Sequence, residues 1–538
     1  MFLAHSSRRR IVAALFALTA LLETSRAHAY CREVTLSPPP GYNPVDAGCF
    51  TANPDGGSEL PPLFWRNQCV GFSMQQNAST QVSLADAENV AFSAFNAWSS
   101  ITCPGGGSPS ITAAELPPVE CDSVPSQLHN NVIMFRDDVW PYDDSANAIG
   151  FTTLTVCIQP PCPGDPNALP GEILGADTEI NSALYRIIAS GTPPSGAYDL
   201  ASILTHEAGH FLGLAHTADE TAVMYAFYHP ESTVPQPDDV AGICAIYPPD
   251  GSRSTEIGSV AATSCNPEPL LGLEEECGSV DAGLNGGDDD AGTSDSPTSN
   301  GDTLFGCAIG QGSHFGTGGL VMLGTIALGA WIRTRRGSRR LRSISSKIGV
   351  WVALLSGGAL QLHPASASVS VIVTFDDLVR RATAVAVVTP LEPHALWENG
   401  RIVTYTRAHV DRQIAGKLEE EVWIRTLGGD VGNIGNRVEG QATFALGHPS
   451  LVFLHPHLDP VVGGPSGTFG VVEAAQGQFP IVLGNSGRAT LTTGQNVGAL
   501  ALPRGSGIVA ARFARDVLRD RPLEDAAREI AAAWTHAH

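Results

Sequence analysis

The sequence predicts an α+β domain over residues 30–250 and a separate β-rich domain over residues 368–538. Three observations support this prediction: a capped amphipathic helix that begins near Ser83, several short strand-like segments, and a second helix from about Asp199 that carries a group of histidines. Charged residues make up 16% of the chain and hydrophobic residues 43%, a balance typical of globular domains. A chain of 538 residues is too long for one ordinary domain, so we expect two or three.

The first helix is predicted over residues 84–99. Ser83 can cap its N-terminus, and Asp86 lies three residues further on, as in a capping box. Apolar residues then recur at helical spacing and predict a buried stripe: Val90, Ala91, Ala94, Phe95 and Trp98.

Four segments of this domain have strand character, and each is bounded by turn-forming residues. They are 64–74, 132–135, 149–156 and 173–181. In the last of them Asp177 and Glu179 alternate with apolar neighbours, which favours a strand with one solvated face.

The second helix is predicted over residues 199–212 and contains most of the motif HEAGHFLGLAH, residues 206–216. His206 and His210 are four residues apart, so both imidazoles lie on one face of the helix and can reach one metal ion. Gly213 tolerates the left-handed conformation that ends a helix, which lets the chain turn back and bring His216 to the same ion.

This pattern predicts a catalytic zinc site. Three neutral histidine ligands leave one position of tetrahedral zinc open for water, as in catalytic rather than structural sites. Glu207 can reach that water without binding the metal, so it is the candidate general base.

The motif HExxHxxGxxH followed by Met224 resembles the signature of the metzincin metalloproteases. The short spacing from His216 and the pair Met224-Tyr225 resemble the matrixin branch. The resemblance implies a twisted mixed sheet with a backing helix and an active-site helix. It also implies a Met-turn under the zinc ligands, and protein or peptide substrates. Tyr225 is adjacent to the methionine, so we expect it to line the substrate wall or to pack.

Three further features are compared with the matrixin pattern. Thr217 follows the third histidine where matrixins usually have serine, and no cysteine-switch motif precedes the domain, so we expect Cys31 in a disulfide. Asp177 and Glu179 are candidate calcium ligands, although ordinary surface carboxylates on a strand are the favoured interpretation.

The N-terminus predicts export. Residues 1–29 have the layout of a signal peptide, with three arginines, an apolar segment and a small-x-small cleavage site. All eleven cysteines lie between Cys31 and Cys307, which favours disulfides in an oxidising compartment, with Cys265 and Cys277 as a candidate local pair.

The middle of the chain predicts a linker and membrane segments. Residues 251–314 read as a Gly/Ser/Asp-rich linker, 315–332 as a transmembrane helix and 333–347 as a basic cytoplasmic loop. Residues 348–367 form a second transmembrane or signal-peptide-like segment, whose apolar part is 348–362. Cys307, the apolar run and the arginine cluster resemble the C-terminal sorting tail of myxobacterial surface proteins, which implies display at the cell surface.

The expected function is a secreted or surface-anchored zinc endopeptidase. Two alternatives remain open: a surface adhesion or scaffold protein with a structural zinc domain, and a misjoined pair of exported proteins, whose adjacent reading frames were joined by sequencing error or misannotation. Residues 368–538 contain short strand-like segments closed by two helices and show no catalytic motif. A formal net charge of -23 argues against nucleic-acid binding, which needs a basic face.

Overall fold

The computed structural model describes eleven stretches of the chain. They are 30–35, 61–119, 131–217, 219–225, 232–270, 369–398, 400–457, 464–483, 487–494, 500–501 and 512–538. The predicted signal peptide, the membrane segments 315–332 and 348–362, and Cys307 with its predicted sorting tail lie outside these residues. Among the described residues, no helix is both long and apolar enough to cross a membrane.

The first region is a mixed sheet backed by two helices. Its main strands are β2 (Cys69–Met74), β3 (Thr112–Glu115), β4 (Val132–Phe135), β5 (Ala148–Cys157) and β6 (Ile173–Ile180), in the spatial order β5-β6-β4-β2-β3. Neighbours within β6-β4-β2-β3 pair in parallel, whereas β5 runs antiparallel to β6. The predicted strands are confirmed to within a few residues, except that 64–68 precede the first strand.

The two helices lie against each other as well as against the sheet. Helix α1 (Leu84–Ser99) is capped by Ser83, whose side chain accepts a hydrogen bond from the Asp86 amide, as predicted. Helix α2 (Leu200–Phe211) is capped by Asp199. The Trp98 indole donates to the Thr205 carbonyl at 2.8 Å, which fixes α1 against α2.

Short elements complete the first region. They are β1 (Cys31–Arg32), β7 (Arg186–Ile188), β8 (Ala197–Asp199), β9 (Leu214–Ala215), α3 (Pro237–Ile246), β10 (Ser252–Thr255) and β11 (Gly258–Ala261). β1 pairs with β9, β7 with β8, and β10 with β11.

Three disulfides tie these elements together: Cys69–Cys265, Cys103–Cys244 and Cys157–Cys162. Cys31 is also disulfide-bonded, as expected. The expected pair of Cys265 with Cys277 is wrong, because Cys265 forms its disulfide with Cys69 of β2, 196 residues away in sequence. Such long-range pairing leaves no signal in cysteine spacing. The disulfides fit an exported protein.

The C-terminal region is β-rich, as predicted, and forms a barrel with flanking helices. Its strands are β12 (Val369–Val371), β13 (Ala384–Glu398), β14 (Arg401–Gly416), β15 (Glu421–Leu427), β16 (Gly429–Val431), β17 (Ile434–Val438), β18 (Ser450–Pro456), β19 (Thr468–Val471), β20 (Gln478–Leu483), β21 (Ala489–Leu491) and β22 (Leu500–Ala501). Its helices are α4 (Phe375–Arg381), α5 (Ala514–Leu518) and α6 (Leu523–Ala537). The order β13-β14-β15-β19-β18 closes into a ring because β18 also pairs with β13.

The barrel region packs directly on the first region. β17 pairs antiparallel with β5, and β12 pairs with the beginning of β5, so one sheet contains strands from both. Trp140, Tyr142 and Phe151 share an apolar cluster with the barrel residues Val403, Tyr405 and Leu427. Arg401 at the start of β14 forms a buried ion pair with Glu179.

Candidate metal centre and active site

Three histidines meet at one buried point beside α2. His206 and His210 lie one turn apart on α2, and His216 follows β9. The distances between Nε2 atoms are 2.7 Å for His206–His216, 2.8 Å for His210–His216 and 3.1 Å for His206–His210. One ion can therefore contact all three rings.

The hydrogen bonds of two rings fix their tautomers. The Nδ1 atom of His206 lies 2.7 Å from the Val223 carbonyl oxygen, and that of His210 lies 2.9 Å from the Leu214 carbonyl oxygen. A carbonyl only accepts, so Nδ1 carries the proton in both rings and the lone pair of Nε2 points at the common centre. Burial lowers the pKa of His206 to about 3, and the neighbouring His210 adds to the effect.

This donor set fits zinc. Burial, with the two neighbouring histidines, also holds the pKa of His216 well below its usual value, so lone pairs rather than protons face the centre. Converging lone pairs repel one another unless a cation lies between them. Nitrogen ligands about 2.0–2.1 Å from a tetrahedral zinc lie roughly 3.3 Å apart, slightly wider than the triangle observed here.

Glu207 follows His206 on α2, and its side chain is held by a residue of the sheet. Its Oε2 atom accepts a hydrogen bond of 2.8 Å from the hydroxyl of Thr152 on β5. The Thr152 oxygen is in turn 2.9 Å from the hydroxyl oxygen of Thr178 on β6. Both threonines are buried, so the Glu207 carboxylate has a fixed orientation. No local sequence pattern marks Thr152 as a partner of Glu207, because it lies 55 residues earlier in the chain.

The end of α2 is built to turn the chain toward His216. Gly213 has a φ of +87°, and its amide donates to the His210 carbonyl at 2.8 Å. The next two carbonyls accept from side chains: Phe211 from the Trp65 indole at 2.7 Å and Leu212 from the Tyr247 hydroxyl at 2.8 Å. These bonds satisfy helix-end carbonyls that would otherwise lie buried without partners.

Met224 lies directly under α2, where the sequence placed the Met-turn. A Cβ atom at Gly209 would lie 2.2 Å from the Met224 sulfur and 2.9 Å from the Trp98 ring, so only glycine fits between the two histidines of the helix. Asp239 fixes this turn by accepting hydrogen bonds from the amides of Val223 at 2.7 Å and Met224 at 3.0 Å. Sequence reasoning missed Asp239, although its place in the capping box of α3 was a usable signal.

Glu33 is a further carboxylate that sequence reasoning missed. It follows β1, and its Oε1 atom lies 3.2 Å from the Nδ1 atom of His210, which also donates to Leu214. Burial raises the pKa of Glu33 to about 8. A group that accepts a hydrogen bond from the ring nitrogen facing away from the metal orients that ring, so Glu33 helps to orient His210.

Tyr225 is only partly buried and lies at the rim of this arrangement. Its main chain forms an isolated parallel β-bridge with that of Thr217, and its hydroxyl interacts with Glu220. Arg515 of α5 is also close enough for an electrostatic interaction. Its place at the rim is compatible with the substrate wall or with packing, the two roles expected for it.

Asp177 and Glu179 have partners other than a cation. Both are buried, because β6 is an inner strand of the sheet, so the expected solvated face is wrong. Glu179 accepts from Arg136 at 2.5 Å and from the Tyr142 hydroxyl at 2.9 Å, and it pairs with Arg401. Asp177 accepts from the Val132 amide at 3.0 Å. Two arginines beside Glu179 supply the positive charge, and a calcium site here is not supported.

The sequence of this region matches known proteases. Residues 121–248 match the sequence model of the matrixin family. Human matrix metalloproteinase-16 is 27% identical over 194 residues, which are 35% of this chain and 28% of that protein. Human matrix metalloproteinase-20 is 40% identical over 83 residues, 15% of this chain and 16% of the relative. The metalloendoproteinase 1-MMP of Arabidopsis thaliana is 48% identical over 59 residues, 10% of this chain and 15% of the relative.

These matches are distant and partial. The aligned parts span less than a third of the length of the relatives, and the family match covers less than half of this chain. They support a matrixin-like metalloprotease domain, and with it zinc and a protein or peptide substrate. The family match ends at residue 248, before the C-terminal region.

Proposed function

We propose that this chain is an exported zinc endopeptidase that cleaves peptide bonds within protein substrates. The observation that carries the proposal is a set of three histidines whose Nε2 atoms converge, with the hydrogen-bonded carboxylate of Glu207 on the helix that holds two of them. A structural zinc site needs no such carboxylate, so the geometry favours catalysis over the adhesion or scaffold alternative. Export is supported by the disulfides. Anchoring through 315–332 remains a prediction from sequence.

In this proposal His206, His210 and His216 hold zinc. When bound there, zinc supplies Lewis acidity that polarises the scissile carbonyl and makes water a better nucleophile. Glu207 takes the proton of the attacking water and then passes it to the nitrogen of the leaving amine. Thr152 keeps the carboxylate oriented toward the reaction, and Met224 supports the helix that carries two of the ligands.

The outer edge of β5 is the proposed substrate edge. β5 is the last strand of the first region's sheet, and its residue Thr152 binds the proposed base. An extended peptide can add to such an edge through main-chain hydrogen bonds, which would place its scissile bond beside Glu207.

The test compares the wild-type chain with Glu207→Ala and Glu207→Gln. We expect about one catalytic zinc in all three by elemental mass spectrometry, because Glu207 is not a ligand. We expect chelator-sensitive cleavage of an unstructured protein substrate in the wild type and a loss of at least about 100-fold in both variants. The matched control is Glu172→Gln, a buried carboxylate whose partner is the Leu169 amide, and it should cleave normally. Wild-type turnover by Glu207→Gln would rule out the mechanism.

A further inference from the structure

The outer edge of β5 is covered by the C-terminal region. Residues Ile434–Val438 pair antiparallel with Thr153–Cys157, from Ile434 opposite Cys157 to Val438 opposite Thr153. At the other end of β5, Val369 and Ser370 pair with Gly150 and Ala148. The proposed substrate edge is therefore occupied on both sides of Thr152 by main chain of the same protein.

The register of β17 leads toward the proposed base. Val438 is opposite Thr153, so Glu439 follows at the level of Thr152. Glu439 itself lies in the turn that follows β17. Its carboxyl group is close enough to interact electrostatically with Glu33, His210 and Glu207.

Side chains anchor β17 in this position. Asn436 is buried, donates to the Thr155 hydroxyl at 3.0 Å and accepts from the Ile402 amide at 2.8 Å. The Arg437 guanidinium donates through Nε to the Thr35 carbonyl at 3.0 Å, two residues after Glu33. β17 is thus bound to β5, to the barrel and to the segment that supports His210.

The residue just before β17 also forms hydrogen bonds with the segment that follows β5. The Ile158 amide donates to the Asn433 carbonyl at 2.9 Å, and the Asn433 side chain donates to the Pro161 carbonyl at 3.0 Å. The Arg401 guanidinium reaches the Thr153 hydroxyl at 2.9 Å from the barrel side. Polar groups along the edge of β5 are therefore satisfied by the barrel region rather than left for water.

We propose that the barrel region is an intramolecular inhibitor, with β17 occupying the substrate edge of β5. This inference rests on the proposed peptidase function and adds its regulation. A substrate that pairs with the same edge must first displace β17, so only molecules with β17 released are competent. The apparent affinity for substrate is then reduced by the released fraction.

The experiment uses the full chain with Asn436→Pro. Proline has no amide hydrogen and is not tolerated within a paired strand, and the substitution also removes both side-chain hydrogen bonds of Asn436. In the wild type we expect less than about a tenth of the molecules to have β17 released. The substitution should make this state the main one, so we expect kcat/KM on an unstructured protein substrate to rise about tenfold or more. Amides of 153–157 should also exchange hydrogen faster. The matched control is Ser259→Pro, in the two-stranded sheet of β10 and β11, which should leave cleavage unchanged.

A second variant keeps the test valid if Asn436→Pro folds poorly. Thr155 and Asn436 are direct cross-strand partners in side-chain contact, so Thr155→Cys with Asn436→Cys can form a disulfide that locks β17 in place. The oxidised double variant should lose the cleavage that each single variant retains.

The outcomes separate the two claims. Equal activity of wild type, Asn436→Pro and the locked double variant, or lower activity in Asn436→Pro than in the Ser259→Pro control, would overturn the inhibitor while leaving the peptidase intact. Zinc bound in every variant with cleavage in none would instead overturn the proposed function, and the inhibitor with it.

Discussion

Thr152 connects the proposed substrate edge to the proposed base. Its hydroxyl donates to the Glu207 carboxylate, and its main chain lies in β5 between the two stretches that pair with the C-terminal region. A substrate aligned on β5 would therefore be positioned by the same strand that orients Glu207.

The variant Thr152→Val tests this link. Valine keeps the shape but removes the donor, so Glu207 loses a hydrogen bond worth about 1.5–3 kcal/mol when the acceptor is charged. We expect kcat to fall by roughly tenfold or more with little change in KM. The acidic limb of the pH–rate profile should move to higher pH, because the bond stabilises the ionised carboxylate.

The control for this variant is Thr255→Val, which removes another buried hydroxyl, on β10, that bonds to the Gly258 carbonyl. It should leave the pH–rate profile in place. An unshifted profile in Thr152→Val would mean that Thr152 has only a structural role.

The three histidines and Glu207 could be predicted because they belong to one motif, whereas the residues that hold them in place could not. His206, Glu207, His210 and His216 fall within eleven residues, so the helix together with the turn at Gly213 places them near one another. Thr152, Asp239 and Glu33 reach the centre from other elements, and nothing local marks a threonine or a carboxylate as a distant partner. The burial of Asp177 and Glu179 was also missed, because alternation cannot reveal that both faces of β6 are covered.

Among the elements, α2 depends on close packing with the turn at Met224. Gly209 faces Met224 and Trp98 at distances that exclude a methyl group. In an isolated helix, alanine would be better than glycine by about 1 kcal/mol. Packing here reverses that preference.

We therefore expect Gly209→Ala to destabilise the protein by about 1–3 kcal/mol, measured by denaturant unfolding, and to weaken zinc retention. The double variant Gly209→Ala/Met224→Ala makes room for the new methyl group, so its loss of stability should be less than the sum of the single losses. A Gly209→Ala variant that is more stable than the wild type would contradict the packing described for α2. So would a double variant whose loss of stability equals the sum of the two single losses.

Elements with caps or regular periods were predictable and irregular ones were not. Ser83 and Gly213 marked the ends of helices, and the strands of the sheet read as apolar runs. β17 was missed because its segment, NIGNRV from Asn433, combines glycine and asparagine with little alternation. Its strand conformation comes from pairing with β5 rather than from its own preferences.

For the molecule as a whole, the main finding beyond the sequence is the association of the two folded regions. The pairing of β5 with β17 joins residues about 280 positions apart, and the ion pair of Glu179 with Arg401 is buried between the two regions. Neither contact has a periodic signature in sequence. The sequence alone predicted a β-rich region after 368 but assigned it no role.

This arrangement ties activity to the position of the C-terminal region. A buried pair such as Glu179–Arg401 is costly to break by removing one partner, because a charge is left without compensation. Release of β17 from the edge of β5 therefore need not separate the two regions completely. Local opening of one strand is sufficient to expose the proposed substrate edge.

Zinc-dependent catalysis is tested most directly by measuring cleavage in a variant whose β17 is released from β5. We would measure cleavage of an unstructured protein by Asn436→Pro and by Asn436→Pro/Glu207→Gln, before and after removal of zinc and after its return. We expect that only Asn436→Pro cleaves, that chelation abolishes its activity, and that about one equivalent of zinc restores it. Cleavage that survives complete zinc removal, or equal turnover by the Glu207→Gln double variant, would rule out zinc-dependent catalysis assisted by Glu207.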